Sequence, residues 1–396
     1  MKSLFLGLAL LFPSILLAQT IKTDVLILGN GNSAFAAGVQ AAESGVKALV
    51  LTQEDGFDLQ GIEKIKGNGL LKAFEKQARK SLKIADSVAL PEMNKQRINA
   101  IVTNWSDSSK LFKVINNMPS TELKRSGSGW EMRLSKDKKV RAKALIFAAA
   151  QPKQFLSSLK LSDLKPVKKI SVDYKNNIYR TSIGAFSGTT TVMSLYDLFV
   201  PGQENLLYID PADFQAGQSA GAVAAYSTFF KVKISEVNLK RVQGELLNFK
   251  SSLFPIEDIH PIDSNWLAIQ KICLTGILKC EEKNQNLFFH PDLPVNYAEI
   301  KQPIKDYYYK AQIWFDDHQN VPINLENAIS MVCYVGNKSV EATKTDLEKK
   351  WQKAYKFHSV FDLKKTLTRR EFAVIANEYL KPFDVVNVDK TGKVLR

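Results

Sequence analysis

The chain has 396 residues, carries 54 lysines and arginines against 40 aspartates and glutamates, and is 45% hydrophobic. This composition is that of a globular protein and excludes a disordered or fibrous one, and at about 100–200 residues per domain the length allows two or three domains. Three cysteines exclude a disulfide-rich miniprotein, and four histidines that never form a close pair exclude a zinc site of the HExxH kind.

The first residues of the chain predict a secretory signal peptide. Lys2 gives a positively charged start, an apolar run continues to Leu17, and the small residue Ala18 precedes a polar one. The run is shorter than the ~20 apolar residues that span a bilayer, and this order is typical of a cleaved export signal. We therefore expect residues 1–18 to be removed, the mature protein to be periplasmic or secreted, and no segment to span a membrane.

The formal net charge is +14, and the lysines are spread along the chain instead of forming one basic tract. In an exported protein a basic surface meets anionic glycans, cell-envelope polymers or lipid headgroups, so we expect no nucleic-acid partner. A basic surface that is only solvated is the alternative. The charge alone therefore identifies no partner.

Residues 23–52 predict a strand, a glycine-containing loop, a helix and a second strand. The apolar run 24–28 indicates a strand buried on both faces, and the alanine-rich segment 35–44 indicates a helix that ends at Gly45. The second strand follows at 46–51. This order within about 30 residues is the setting in which a glycine loop binds a dinucleotide, although packing alone also explains such a unit.

If the loop binds a dinucleotide, each of its small residues has a physical role. Gly29 permits the tight turn, and Gly31 lets the backbone approach a diphosphate because no Cβ stands in the way. Ala34, at the third position, lets the helix pack closely on the strand. The start of the helix then presents free N–H groups to the phosphates. The candidate cofactor-binding residues of the loop are Gly29, Gly31, Asn32, Ser33 and Ala34.

The acid that would bind the ribose is missing from its usual position. Dinucleotide-binding units place a carboxylate at the end of the second strand, where this chain has Thr52. Glu54 lies two residues later and is the candidate to replace it. A solvated turn before Gly56 is the alternative for Glu54, and the sequence leaves both open.

Further elements follow in order along the chain. Residues 62–90 predict helix and loop, 98–150 predict short strands with a hairpin at Gly127–Gly129, and 205–210 predict another buried strand. The helix at 217–226 is rich in small residues and needs a close neighbour, which is either the sheet or a cofactor.

With these pieces in order, residues 18–230 resemble the secreted FAD-dependent oxidoreductases of the glutathione-reductase-like superfamily, in particular the bacterial group labelled FAD-dependent oxidoreductase or xanthan lyase. The segment 26–51 is similar to the family's ADP-binding unit, 130–150 to its β-meander and following strand, and 205–225 to its last strand and helix. The resemblance implies an α/β fold with a Rossmann-like FAD/NAD(P)-binding domain over 19–235, and FAD as the cofactor. It places further flavin contacts at Ala149, Asp210, Gly217, Gln218 and Gly221.

The chain also departs from the family pattern. Thr52 replaces the acid, 56–59 replaces a Gly-Gly pair, and Ala148–Ala150 replaces Ala-Thr-Gly. The family's long substrate-binding insertion before residue 205 is nearly absent, and no residue matches a catalytic position. Two functions therefore stay open. One is flavin-mediated hydride transfer on an unknown, carbohydrate-derived substrate; the other is a non-catalytic descendant that has lost FAD and binds an envelope partner or a glycan.

The remaining residues, 236–396, predict a mainly α-helical domain that resembles S-layer-homology modules. Thr368 and Glu371 have the spacing of a capping box before an apolar stripe. Cys273 and Cys280 lie seven positions apart on what the pattern predicts to be one helix, and if that helix is regular they are too far apart for a mutual disulfide. With three cysteines, at least one thiol stays unpaired.

Overall fold

The computed structural model describes residues 19–61, 68–118, 121–135, 138–149, 153–161, 164–186, 188–210 and 212–395. The predicted signal peptide at residues 1–18 lies outside these ranges and stays a prediction. Among the described residues, no helix combines the length and the apolar character needed to cross a membrane.

Strands and helices alternate in the first half of the chain, and helices dominate the second half. The strands are β1 (Gln19–Leu28), β2 (Ala48–Leu51), β3 (Phe112–Ile115), β4 (Glu122–Ser126), β5 (Gly129–Ser135), β6 (Lys138–Phe147), β7 (Ile170–Ser171), β8 (Ser182–Ala185), β9 (Thr191–Ser194), β10 (Leu206–Tyr208), β11 (Glu281–Lys283), β12 (Asn286–Phe288), β13 (Asn387–Val388) and β14 (Val394–Leu395). The helices are α1 (Asn32–Glu43), α2 (Gly69–Leu82), α3 (Lys95–Ser108), α4 (Lys153–Leu156), α5 (Phe214–Phe230), α6 (Leu239–Asn248), α7 (Trp266–Thr275), α8 (Tyr297–Tyr307), α9 (Tyr309–Asp317), α10 (Leu325–Gly336), α11 (Val340–Lys350), α12 (Arg369–Tyr379) and α13 (Pro382–Val385).

One sheet organises the first half, with strand order β3-β2-β1-β6-β5-β4 and β10 beside the second half of β6. β3, β2, β1, β6 and β10 run parallel, whereas β5 pairs antiparallel with the first half of β6 and β4 pairs antiparallel with β5. A parallel sheet that begins with a βαβ unit and carries a β-meander is the topology of a Rossmann-like FAD/NAD(P)-binding fold. The predicted fold class is confirmed, including the mainly helical C-terminal region.

The strand β1 is buried on both faces, as its continuous apolar run predicts. Val25 and Ile27 belong to the core that contains α1 and α5. Leu26 and Leu28 belong to a second core on the opposite face, together with Trp130 of the meander. Such two-sided burial is the rule for parallel sheets, because crossover connections cover both faces.

The prediction of strands from residue 98 onward is wrong in its first part, because this segment forms helix α3. Asn94 caps the helix, with its side-chain oxygen accepting from the Arg97 N–H at 2.9 Å. The buried residues then recur at helical spacing, at Ile98, Ile101, Val102 and Trp105. The hairpin predicted at Gly127–Gly129 is confirmed as the β4–β5 turn.

Helix α5 packs against α1 through its glycines. A Cβ added at Gly217 would lie 2.2 Å from the Ser33 carbonyl oxygen, and one added at Gly221 would lie 2.5 Å from the Ala37 carbonyl oxygen. Between them, Gln218 is fully buried and hydrogen-bonds the side chains of Gln40 and Asn68. The close neighbour that the small-residue helix requires is therefore α1.

The C-terminal region shares its core with the sheet. Arg180 Nε donates to the Thr275 carbonyl of α7 at 3.1 Å, and Gln243 Nε2 of α6 donates to the Ser182 carbonyl at 2.7 Å. The capping box is confirmed, since Thr368 N–H donates to the Glu371 carboxylate and Glu371 N–H to Thr368 Oγ1. The domain boundary at residue 235 and the likeness to S-layer-homology modules stay predictions.

The prediction that Cys273 and Cys280 lie far apart on one helix is wrong. Helix α7 ends at Thr275, where Gly276 adopts a φ of +74° and turns the chain. Cys280 therefore lies beyond the helix, and its sulfur is 3.7 Å from that of Cys273.

A charge cluster links the strands β4, β5 and β6 of the meander. Glu131 on β5 lies in register with Lys124 on β4 and with Arg141 on β6. Its carboxylate is 2.6 Å from Arg141 Nε and 3.4 Å from the ammonium groups of Lys124 and Lys139. The hydrogen bond from Arg141 is the main cause that lowers the pKa of Glu131 to about 2, and the two lysines lower it further.

We predict that Gly217→Ala destabilises the fold and that Gly244→Ala does not. The added methyl at residue 217 overlaps the Ser33 carbonyl, which costs about 1–3 kcal/mol of unfolding free energy. At residue 244, also helical, an added Cβ meets nothing within 4 Å, so alanine is neutral or stabilises by up to about 1 kcal/mol. Urea denaturation of both variants measures the difference, and equal stabilities would contradict the packing described.

We also predict that Glu131→Gln is destabilising at neutral pH and less so in acid. The folded-state pKa is lowered from 4.5 to about 2, so the stabilisation is complete above pH 4.5 and is lost as the pH falls towards 2. We expect a loss of about 1–2 kcal/mol at pH 7. The control is Glu122→Gln, whose carboxylate is half-exposed and 3.5 Å from Arg133. A Glu131→Gln effect that is constant with pH would show that the charge cluster does not stabilise the meander.

Candidate functional site

The carboxyl ends of five parallel strands meet at one edge of the sheet. Leu28 lies level with Leu51 and Phe147 of the neighbouring strands, and Tyr208 and Ile115 continue the same level outward. The loops that follow β1, β2, β3, β6 and β10 therefore converge. Open α/β folds bind their ligands outside this edge of the sheet.

The loop after β1 presents an uncapped helix at this edge. Gly29 has a φ of +149°, and a Cβ there would lie 2.1 Å from the Ala148 carbonyl, so both conformation and packing require glycine. Ala149 directly follows that contact. Gly31 has a φ of −89° and a ψ of −173°, which any residue adopts, so its backbone does not explain the glycine. Helix α1 begins at Asn32, and its N-cap residue Gly31 has no side chain that could cap it.

The first residues of α1 are held by the neighbouring loops. The Asn32 amide donates to the Gln60 carbonyl at 2.7 Å and to the Ala212 carbonyl at 3.4 Å, and its oxygen accepts from the Gln60 N–H at 2.9 Å. Ser33 and Ala34 are fully buried, and Ser33 Oγ has no hydrogen-bond partner within the described ranges. Asn32 thus ties the loop after β2 and the start of α5 to the glycine loop.

Glu54 lies beside the glycine loop, as the replacement of the missing acid requires. Thr52 is buried, and its hydroxyl donates to the Glu54 carbonyl at 2.7 Å and lies 3.1 Å from Asn116 Oδ1. Glu54 is exposed, and its carboxylate accepts from Asn30 Nδ2 at 2.9 Å. The structure brings this carboxylate to the predicted loop; its contact with a ribose stays a prediction.

A cleft of about 980 Å³ lies beside the starts of α1 and α5, with Asn32 and Asp210 in its wall. Asp210 is exposed after β10 and accepts from the Ala212 N–H at 3.0 Å. Asp213 caps α5 by accepting from the Ala216 N–H at 2.9 Å, and burial raises the pKa of its carboxyl group. The cleft has the size of a small-molecule site.

Besides Glu257, three charged or titratable side chains line the cleft that no sequence motif indicates. They are Lys169, Lys250 and His260. Lys250 lies 4.9 Å from the centre of the Trp266 ring, and burial, aided by the nearby charge of Lys72, lowers its pKa. These residues come from separate segments of the chain, so only the tertiary structure brings them together.

The remaining predicted site residues lie against α1 and not in the cleft wall. Gly217, Gln218 and Gly221 face α1, and helix packing accounts for all three without a ligand. Their contact with a flavin stays a prediction. Within the described ranges, no group of three or more His, Cys, Asp or Glu side chains could hold a metal ion.

No protein-family model matches this sequence, and no curated protein matches it. Several solved structures match in part. Thioredoxin reductase of T. acidophilum is 18% identical over 32% of this chain with a TM-score of 0.20, and bacillithiol disulfide reductase of Staphylococcus aureus is 16% identical over 33% with a TM-score of 0.20. The rebeccamycin biosynthetic enzyme RebC, solved with reduced flavin, is 16% identical over 39% with a TM-score of 0.25.

The matched segments span 34%, 39% and 36% of those three proteins, respectively. At these TM-scores the likenesses carry no argument about activity, substrate or cofactor. The assignment of the α/β dinucleotide-binding fold rests on the strand order and register of this chain's own sheet.

Proposed function

We propose that this protein is an exported FAD-binding oxidoreductase. The observation that carries the proposal is the uncapped start of α1 at Gly31, at the edge where five parallel strands end and beside the cleft. A helix N-terminus without a side-chain cap attracts an anion, because its N–H groups and dipole are unsatisfied. Export rests on the predicted signal peptide.

The residues at the edge fit the parts of an FAD molecule in order. The diphosphate would bind the N–H groups at the start of α1, where Gly31 offers no Cβ to exclude it. The exposed carboxylate of Glu54 would accept hydrogen bonds from the adenosine ribose. Asp210, exposed at the end of β10, would accept from the hydroxyl groups of the ribityl chain.

The cleft supplies the environment for the reaction. Bound FAD supplies hydride acceptance, which no amino-acid side chain provides. Lys169 and Lys250 in the cleft wall offer hydrogen-bond donors to a polar substrate, and the three carboxylates of the wall offer acceptors. His260 is exposed there and is the residue best suited to hold or accept a proton from a hydroxyl group. A small polar substrate, such as a carbohydrate-derived alcohol, suits this lining.

A non-catalytic role is the second candidate, and a specific observation favours it. The loops after β2 and β3 are joined to each other, since Met118 N–H donates to the Thr52 carbonyl at 3.1 Å and Asn117 N–H to the Glu54 carbonyl at 3.2 Å. Together with the hydrogen bonds of the Asn32 side chain to Gln60 and Ala212, these contacts stabilise this edge of the sheet without a ligand. Trp266, Phe289 and Trp314 are buried and offer a glycan no stacking surface, whereas the ring of Tyr309 is exposed.

We predict that Gly31→Val weakens FAD binding more than about tenfold, because a side chain would occupy the space of the diphosphate. The backbone angles of residue 31 are allowed for valine, so the fold should survive. The matched control is Gly244→Val on α6, where an added Cβ meets nothing within 4 Å. Visible absorbance of the purified protein, chromatography of released cofactor and titration with added FAD measure binding, and circular dichroism measures folding.

Two outcomes would contradict the proposal that the protein binds FAD. One is a parent protein that is colourless and takes up no added FAD, which would leave the non-catalytic role. The other is a Gly31→Val variant that holds as much flavin as the parent, which would show that the diphosphate does not bind at this loop.

We predict a smaller loss for Glu54→Gln. Removing the charge weakens the acceptor for the ribose hydroxyl groups, which we expect to reduce FAD affinity about three- to tenfold. Glu43→Gln is the control, because Glu43 is exposed at the far end of α1. Fluorescence titration with FAD compares the two variants; equal affinities would assign Glu54 to a solvated turn.

A further inference from the structure

Two cysteine side chains meet where the sheet region and the helical region join. Cys273 lies on the last turn of α7, and Cys280 directly precedes β11. The turn at Gly276 brings the two sulfur atoms to 3.7 Å from each other. The remaining cysteine, Cys333 on α10, instead has its sulfur 3.7 Å from the Ser339 carbonyl.

The surrounding structure holds this pair in place. Ile277 and Leu278, in the turn between the cysteines, are fully buried. The Cys280 N–H donates to the Tyr174 hydroxyl at 2.8 Å, and Arg369 Nη2 donates to the Lys279 carbonyl at 2.7 Å. The approach of the two sulfurs is therefore part of the packed core and not the result of a free loop.

We propose that Cys273 and Cys280 form an intrachain disulfide when the chain folds in an oxidising compartment. The bond requires a sulfur separation of about 2.05 Å, and rotation of short side chains already in contact can close the remaining gap. Each thiol loses its hydrogen as the S–S bond forms. The two electrons and two protons pass to the disulfide of glutathione or of a thiol–disulfide oxidoreductase, which leaves as two thiols.

The bond must form during folding and not afterwards. In the folded protein Cys273 has no exposed surface and Cys280 is only 7% exposed, so an oxidant has little access to either sulfur for the mixed disulfide that precedes the bond. Burial also raises the pKa of the Cys273 thiol, which removes the reactive thiolate. A chain that has already folded in the reduced state therefore stays reduced, although its two sulfurs are in contact.

The disulfide would hold the end of α7 at a central junction. The Thr275 carbonyl, next to the turn, accepts from Arg180 Nε at 3.1 Å and from the Tyr307 hydroxyl at 3.0 Å. A bond between residues 273 and 280 reduces the conformational freedom of the unfolded chain. It also fixes the turn next to the two hydrogen bonds of the Thr275 carbonyl. We expect the oxidised protein to melt a few degrees above the reduced one.

The test is thiol counting on the signal-less chain after refolding from denaturant. One sample refolds in reduced and oxidised glutathione, a second refolds in reductant, and a third refolds in reductant and then receives oxidised glutathione. Each sample is denatured in excess N-ethylmaleimide, which labels free thiols. The mass of the protein, measured by mass spectrometry, then gives the number of labelled thiols. We expect one labelled thiol in the first sample and three in the other two, because the chain has three cysteines.

The variant Cys333→Ala is the control and should carry no label after oxidative refolding, whereas Cys280→Ser should carry two. A non-reduced peptide map of the parent protein decides the pairing even where a variant does not fold. Three labelled thiols after oxidative refolding, or a linkage that includes Cys333, would overturn the proposal. The outcome is independent of flavin binding, since neither cysteine lines the cleft.

Discussion

The pairing of strand β6 is the constraint on which the rest of the structure depends. Its first half pairs with β5 of the meander, its second half pairs with β10, and β1 accompanies it along its whole length. Because the strands β1, β6 and β10 end at the same level, the loops at Gly29, Ala149 and Asp210 come together. A Cβ at Gly29 would lie 2.1 Å from the Ala148 carbonyl oxygen, so no larger residue fits at this point.

The starts of α1 and α5 lie side by side for a second steric reason. Gly217 and Gly221 let the two helix backbones approach, which brings the capping residue Asp213 and the adjacent Asp210 near the uncapped start of α1. A glycine-rich helix of this kind is predictable from sequence, but its neighbour is not. Packing against a helix and contact with a cofactor require the same small residues, so the sequence could not separate them.

The local elements were predictable where one pattern dominated, as in the βαβ unit, the β4–β5 hairpin and the capping box at Thr368. The failures occurred at helix ends. The cap at Asn94 begins α3 in a segment whose apolar residues also suit strands, and Gly276 ends α7 before Cys280. The sequence could not predict the cleft residues Lys169, Lys250 and His260 for another reason. They lie on separate segments that only the tertiary fold brings together.

The change from an acid to Thr52 does not remove a carboxylate from this edge of the sheet. The Thr52 hydroxyl donates to the Glu54 carbonyl and so fixes the turn that follows β2. That turn brings the Glu54 side chain to Asn30 in the glycine loop. A carboxylate two residues late in the sequence thus lies at the edge where the family pattern has one. A ribose hydroxyl needs an acceptor oxygen at the right position in space, whichever residue supplies that oxygen. The change at Thr52 is therefore compatible with the proposed dinucleotide site.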